Sequence, residues 1–588
     1  MFITSRCTSS MMSFLLIAFV ASVCYDVSGA SPDETDIGPY DLIIRNGRVI
    51  DPETGIDEIA TVAIKDGTIH RIVAGSDAFA EDARTVINAD GKVVAPGFIN
   101  THTHEAAALA TEENIKPASN LYVFDGITFW LGGNCGLSPT GIKVDVGDGN
   151  FMQVGDPEKP MPAFLDELEN IPLYNHYATL SGNITLRSRM GLKHMQHEDD
   201  AQIERMKAIL AEELAAGSFG LSIGAMYDMG ATTKALVELA KVSREHGGMA
   251  AIHTRYPTFN LKHLLFGVDF VFPKRAIHEA VDICRTSGAP LIVSHITDMS
   301  QAGSIGWTME TLEDAVKEGL PLAGDVIGHD FLINNFFILT FKGKIPIPIL
   351  MKLGNYKIDQ FYAAADYVIN GEVAVKQFDQ FTMEKALFLR KHIRQMDAHT
   401  QGIRDMPMFC QIMPPEDTML ALRYPWVFIG NDGGGPSIDP ETGEPAPISP
   451  RGLTAFSRLF GHWSREKGAL SLHEAVFKSS TAPAIWLGLE KKGRIQEGCD
   501  ADIVIFNPDT IIDRAGWVDG TIHQKPDGIS HVIVSGEVVV ENNQLTGATP
   551  GRLVRRTWRI PGNTAEILSL YEQRYGSGLE EKVSGDGV

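Results

Sequence analysis

Between residues 41 and 94 the chain alternates apolar and polar positions in short runs. "DLIIRNGRVID" alternates, "ATVAIKDGTIHRIVAG" gives two runs around Asp66-Gly67, and "KVVAPGF" closes the block. This is the pattern of short strands joined by tight turns. A second block of the same kind lies near the C-terminus, in "GRIQEGCDADIVIFNP" and in "SHVIVSGEVVVENN", which is broken at Ser535-Gly536. Together the two blocks predict one small β-sandwich, discontinuous in sequence, from residues 38–94 and 488–558.

Between the blocks the period changes. "DAQIERMKAILAEELAAGSFGLSIG", "TKALVELAKVSREHGGMAAIHTRY" and "RAIHEAVDICRTSGAPLIVSHI" each show an amphipathic helix, a glycine-containing stop and a short apolar strand. Apolar strands alternating with helices argue for a parallel sheet covered on its outer face. The repetition over residues 95–487 predicts an α/β fold of the (β/α)8 TIM-like barrel type. Residues 327–403 break the rhythm with an aromatic, helix-leaning stretch, expected to be an insertion near the barrel mouth. The charged, Gly-rich segment 559–588 is expected to be a loosely ordered tail.

Composition narrows the function classes. The apolar content of 44% and charged content of 21% are those of a globular protein. A formal net charge of -23 argues against a nucleic-acid or anionic-membrane partner, since both attract Lys and Arg. At the N-terminus, Arg6, the apolar run Met11 to Val23 and the small residues Ser28-Gly29-Ala30 have the form of a signal peptide over residues 1–30. The expected outcome is export, periplasmic or secreted, with no membrane span left after processing; the alternative is an uncleaved N-terminal anchor. Cleavage would remove Cys7 and Cys24, leaving Cys135, Cys284, Cys410 and Cys499, too few for a disulfide scaffold at this size.

The strand ends carry the chemistry. "PGFINTHTHE" finishes with His102 and His104, two apart, so that on a strand both imidazoles face one way. "AAIHTRY" ends in His253, "LIVSHI" in His295 and "WVFIGNDGGG" in Asp432. Side chains able to bind a metal thus stand at the C-terminal ends of four apolar strands, where barrel enzymes keep their active sites. The turn "GGNCG" adds Cys135. Taken singly, each has a plainer reading: a solvated histidine, as for His194 and His197, a turn aspartate, or a buried or disulfide-bonded thiol.

With "APGFINTHTHE" and the paired β blocks, the sequence resembles the amidohydrolase superfamily of metal-dependent hydrolases. "GGNCG", "GLSIGAMYD", "IHTR", "VSH" and "GNDGG" resemble the N-acyl-D-amino-acid deacylases (D-aminoacylases) within it, and the resemblance covers about residues 40 to 555. Many amidohydrolases bridge two metals with a carboxylated lysine or a glutamate from the fourth strand, but "SFGLSIGAMYD" contains neither. In the deacylases a cysteine takes that role, and Cys135 matches it; a thiolate beside histidines suits Zn²⁺.

The resemblance implies one tightly bound Zn²⁺ at Cys135, His253 and His295, with His102, His104 and Asp432 forming a second, weaker position or holding the attacking water. Asp432 would be the general acid/base, and Tyr227 would line the pocket or donate to the oxyanion. Arg255 and Arg451 are candidates for gripping a substrate carboxylate, with a structural salt bridge as the alternative. The implied reaction is hydrolysis of the amide of an N-acyl-D-amino acid or related N-acyl amine, a small-molecule substrate. Two competing readings are a cyclic-amide hydrolase of the dihydropyrimidinase or dihydroorotase kind, which normally keeps the bridging lysine, and a non-catalytic binding barrel. Two departures bear on substrate identity: "SHITDMSQAG" lacks the lysine usual after the second metal histidine, and Glu105 stands where aspartate is more common.

Overall fold

The computed structural model describes residues 40–75, 83–104, 122–255, 272–299, 305–335, 347–348, 357–392, 407–433 and 450–576, apart from a few short gaps within them. The expected signal peptide and Glu105 lie outside the described residues. No helix among those described is long and apolar enough to cross a membrane.

Eight parallel strands form the barrel. In order they are Phe98–Asn100, Ile127–Gly132, an interrupted third strand (His176–Thr179 and Ser181–Gly182), Gly220–Gly224, Met249–His253, Leu291–Val293, Leu322–Ile327 and Val427–Gly430. The two halves of the ring meet at both seams. Strand three pairs with strand four at Ser181–Leu221, and the first and last strands are joined through the parallel bridge Thr103–Gly433. Alternation along each strand sends one set of side chains inward, and the barrel core contains Ile99, Phe129, Leu131, Ala178, Phe219, Met249, Ala251, Ile292, Ala323 and Phe428. Helices Asp200–Ala215, Thr233–Glu245, Phe272–Ser287, Ile305–Lys317 and Pro415–Leu422 cover the outside. The helix 200–215 starts on a capping box, in which Asp199 accepts from the Gln202 backbone and Gln202 reaches back.

The two end blocks meet in one β domain. Val93–Pro96 pairs antiparallel with Ile503–Phe506, and hydrogen bonds run through both blocks as a nine-stranded sheet. Its core mixes the two ends, with Leu42, Ile44, Val62 and Val94 packed against Ile503, Ile505 and Ile533.

Two expectations are corrected. The insertion, where it is described, mixes strands with helix instead of leaning to helix alone. Phe331–Asn335 and Phe361–Ala363 both pair antiparallel with Pro407–Gln411, a hairpin spans Tyr367–Ile369 and Glu372–Val375, and one helix, Met383–His392, follows. The strand that completes this sheet, 407–411, lies beyond residue 403, and a local pattern cannot show pairing at that separation. The C-terminal segment is not a loose tail through residue 575. Thr564–Tyr575 is a helix capped by Asn563, and Ile567, Leu570 and Tyr571 pack with Ile485, Trp486 and Leu487 beneath the barrel. Its apolar stripe at spacings of three and four marks it as amphipathic, and burial of that stripe against a preformed floor stabilises it.

Candidate metal centre

The strand ends converge. His253 closes strand five in phase with the inward Met249 and Ala251, and His295 and Asp432 follow strands six and eight by two residues. His102 and His104 follow strand one, and Cys135 sits in the turn after strand two. Cys135 Sγ lies 3.6 Å from His102 Nε2, 3.4 Å from His253 Nδ1 and 3.6 Å from His295 Nε2. Asp432 Oδ1 lies 2.7 Å from His104 Nε2 and 3.4 Å from His102 Nε2. Donor atoms within 4.8 Å of one another form two sets, Cys135 with His253 and His295, and Cys135 with His102, His104 and Asp432. Cys135 belongs to both. Such a thiolate, imidazole and carboxylate set suits a borderline-soft divalent metal.

The backbone bends to make this possible. Cys135, His295 and Asp432 have φ of 53°, 34° and 41°, a left-handed region that non-glycine residues rarely adopt. Such strain of about 1–3 kcal/mol per residue persists where the surroundings over-determine the conformation. For Cys135 those surroundings are visible. Asn134 Nδ2 donates to the carbonyls of Thr101 and Leu131, and the Gly136 amide donates to Ser222 Oγ at 2.7 Å. Gly224, the last residue of strand four, has no room for a side chain: a Cβ there would stand 2.1 Å from the Cys135 carbonyl oxygen. The cysteine turn fills the space above strand four, so a bridging side chain from that strand end has no place.

Charge is concentrated in a largely buried site. Cys135, His102, His253, His295 and Asp432 are buried, and the His104 side chain is 20% exposed. Burial alone would raise the Cys135 thiol, but the imidazoles of His104, His253 and His102 hold it well below the ordinary thiol range. Burial likewise opposes charge on Asp432, yet Arg451 and His104 keep it well below the usual carboxylate value. Burial lowers His104, but Cys135 and Asp432 prevail and raise it to about 10. Against the burial that lowers each ring, the neighbouring anions hold His102, His104 and His295 above the ordinary imidazole value, whereas burial prevails at His253 and lowers it.

Sequence inspection missed Asp325. Fully buried on strand seven and in phase with the inward Ala323, it places Oδ2 3.2 Å from His102 Nδ1 and accepts the His295 backbone N–H through Oδ1 at 2.7 Å. One carboxylate therefore orients both a metal-facing ring and a strained strand end. The signal was an acid inside the apolar run "LAGDVI".

The other candidates divide. The exposed Tyr227 ring lies 4.5 Å from that of His253, beside the cluster. Arg451 donates to Asp432 Oδ2 at 2.7 Å, so its guanidinium belongs to the site. Arg255 instead makes a buried two-pronged pair with Glu279 and donates to the Met229 carbonyl, which is the salt-bridge alternative. The four described cysteines are free and buried, so the disulfide alternative for Cys135 does not hold. His197 bonds the Gly230 carbonyl, outside both donor sets.

A family model described as "Amidohydrolase family" matches residues 438–540. The chain is 26% identical over 550 residues to a D-aminoacylase of Alcaligenes xylosoxydans xylosoxydans, covering 89% of this chain and 99% of that protein. It is 28% identical over 531 residues to an N-acyl-D-glutamate deacylase of the same organism, covering 89% and 98%. In fold it resembles an N-acyl-D-glutamate deacylase of Bordetella bronchiseptica solved with zinc and a phosphonate inhibitor, with TM-score 0.70, 24% identity and coverage of 88% and 100%.

Proposed function

We propose that this chain, whose sequence and fold resemble those of the amidohydrolases, is a zinc-dependent deacylase that hydrolyses the linear amide of N-acyl-D-amino acids or related N-acyl amines to a carboxylate and a free amine. The observation that carries the reading is the position of Cys135 Sγ, 3.4–3.6 Å from three imidazole nitrogens. A tetrahedral zinc with Zn–S of about 2.3 Å and Zn–N of about 2.0 Å has its sulfur and nitrogen ligands about 3.5 Å apart. The residues present therefore fit the ion. Cys135, His253 and His295 would hold it tightly, and His102, His104 and Asp432, sharing Cys135, would form the weaker position.

Bound zinc supplies Lewis-acid polarisation of the amide carbonyl and lowers the pKa of water toward about 7. The chain's own groups do the rest. Asp432, held ionised between Arg451 and the imidazoles, accepts the proton of the attacking water and returns it to the departing nitrogen. Arg451 fixes the Asp432 oxygen that faces away from His104. Tyr227, half exposed over His253, borders the space where substrate enters and is placed to donate to the developing oxyanion. The cyclic-amide alternative is disfavoured because the lysine such enzymes normally use has no place at the end of strand four, where Gly224 abuts Cys135. A non-catalytic barrel does not account for a thiol and a carboxylate gathered with four imidazoles into two metal-binding donor sets.

Metal analysis coupled to a screen of N-acetyl-D- and N-acetyl-L-amino acids tests the reading. Bound zinc with turnover of D-substrates is expected; a zinc-free protein, or turnover of cyclic amides alone, would overturn it. Export is proposed from the N-terminal sequence, and a mature chain beginning at Ser31 would support it.

A further inference from the structure

His253 is clamped between two sulfurs. Its Nδ1 faces Cys135 Sγ, and its Nε2 lies 3.3 Å from Met226 Sδ. A neutral imidazole has one N–H and one lone pair, and the partner of the outer nitrogen decides which is which. Metal-binding histidines usually give that outer N–H to a carboxylate or a carbonyl, which fixes the ring and raises its basicity. His102 follows this pattern through Asp325. His253 does not, having a thioether in that place.

The turn that carries Met226 is built to hold it there. Strand four runs beside strand five with Gly224 opposite His253, and the Ala225 amide donates to the His253 carbonyl at 3.1 Å. The amides of Tyr227 and Asp228 turn back onto the Gly224 carbonyl. Asp228 is tied at 2.6 Å to Arg187, a buried guanidinium that also pairs with Glu198. Tethers on both sides of Met226 fix the backbone from which the partly buried thioether reaches His253 Nε2, and the Tyr227 ring lies against His253.

We propose that Met226 is a positioning residue for the metal centre, accepting the His253 Nε2–H through its sulfur so that the Nδ1 lone pair faces the ion. The proposal rests on the reading of His253 as a metal ligand. A thioether is a weak, uncharged acceptor. It orients the ring without adding negative charge beside the thiolate of Cys135.

Zinc affinity, measured by chelator competition on the full-length protein, tests this without relying on turnover. Met226→Leu keeps the volume and removes the acceptor, and should weaken zinc binding by about tenfold, the low end for loss of an outer-shell partner. Met226→Gln supplies an amide oxygen at similar length and should restore wild-type affinity or exceed it. Wild-type affinity in the Leu variant, or equal losses in Leu and Gln, would overturn the role given to Met226. His253→Ala is the control for the underlying reading. If it binds zinc as tightly as wild type, the ligand assignment itself fails, whatever the Met226 variants do.

Discussion

The two halves of the centre share Cys135 but are supported in opposite ways. The half with His253 and His295 is buried, bordered by the exposed Tyr227 ring, and almost free of carboxylates. The outer nitrogen of His253 meets a thioether, and His295 Nδ1 has no hydrogen-bond partner among the described residues. The half with His102 and His104 is rich in charge, with Asp325 behind His102, Asp432 between the two rings and Arg451 behind Asp432. His104 is also its exposed edge. A thiolate in a buried pocket suits the first half to retain an ion. Fixed carboxylates at an opening suit the second to move protons and exchange ligands.

The largest effect should come from the shared residue. Cys135→Ala is expected to empty both halves and abolish turnover, whereas Cys284→Ala, in the helix 272–287, keeps zinc and activity. Zinc content measured beside activity checks this, and normal zinc in the Cys135 variant would remove the distinction between the halves.

Asp432→Asn should come next. It should keep the tightly bound zinc and the fold, yet lose about 10²- to 10⁴-fold in turnover, the usual worth of a general acid/base. Added zinc should partly rescue variants of His253 or His295 and leave the Asp432 variant unimproved. Near wild-type turnover would reduce Asp432 to a turn residue.

Asp325→Asn should cost about 10- to 100-fold in metal affinity or activity, as for other partners of metal-bound histidine. Because Asp325 supports His102 through its side chain and His295 only through the backbone, the weaker metal equivalent should be lost first. Metal titration in which the tighter equivalent is lost first would reverse the assignment.

The smallest effect separates the two cysteines by pH. Burial pushes the Cys284 thiol up to about 12, above the free value of about 8.5. The folded state therefore favours the protonated thiol, and this contribution is whole below about pH 8.5 and is lost as pH rises toward 12. The stability difference between wild type and Cys284→Ala should be flat from pH 6 to 8 and shrink between pH 9 and 11. Denaturant unfolding across that range measures it, and a difference that does not change with pH would exclude a buried neutral thiol.

The sequence by itself determined the layered plan and the side-chain types that stand at the strand ends. Helix-then-strand repeats spell out a barrel because burying both faces of a parallel sheet demands apolar strands between amphipathic helices, a local pattern. His253 was legible because it ends such a run in phase with Met249 and Ala251. Asp325 was hidden because an acid in an apolar strand gains meaning only from what lies across the barrel, here His102 and the His295 amide. Met226 was hidden for the same reason, its partner lying on the neighbouring strand. The pairing of Arg255 with Glu279 and the sheet completed by 407–411 were likewise settled by distant partners. Tertiary structure alone decided the bends at Cys135, His295 and Asp432, because a left-handed backbone at a non-glycine residue is held by its surroundings and not by its own preference.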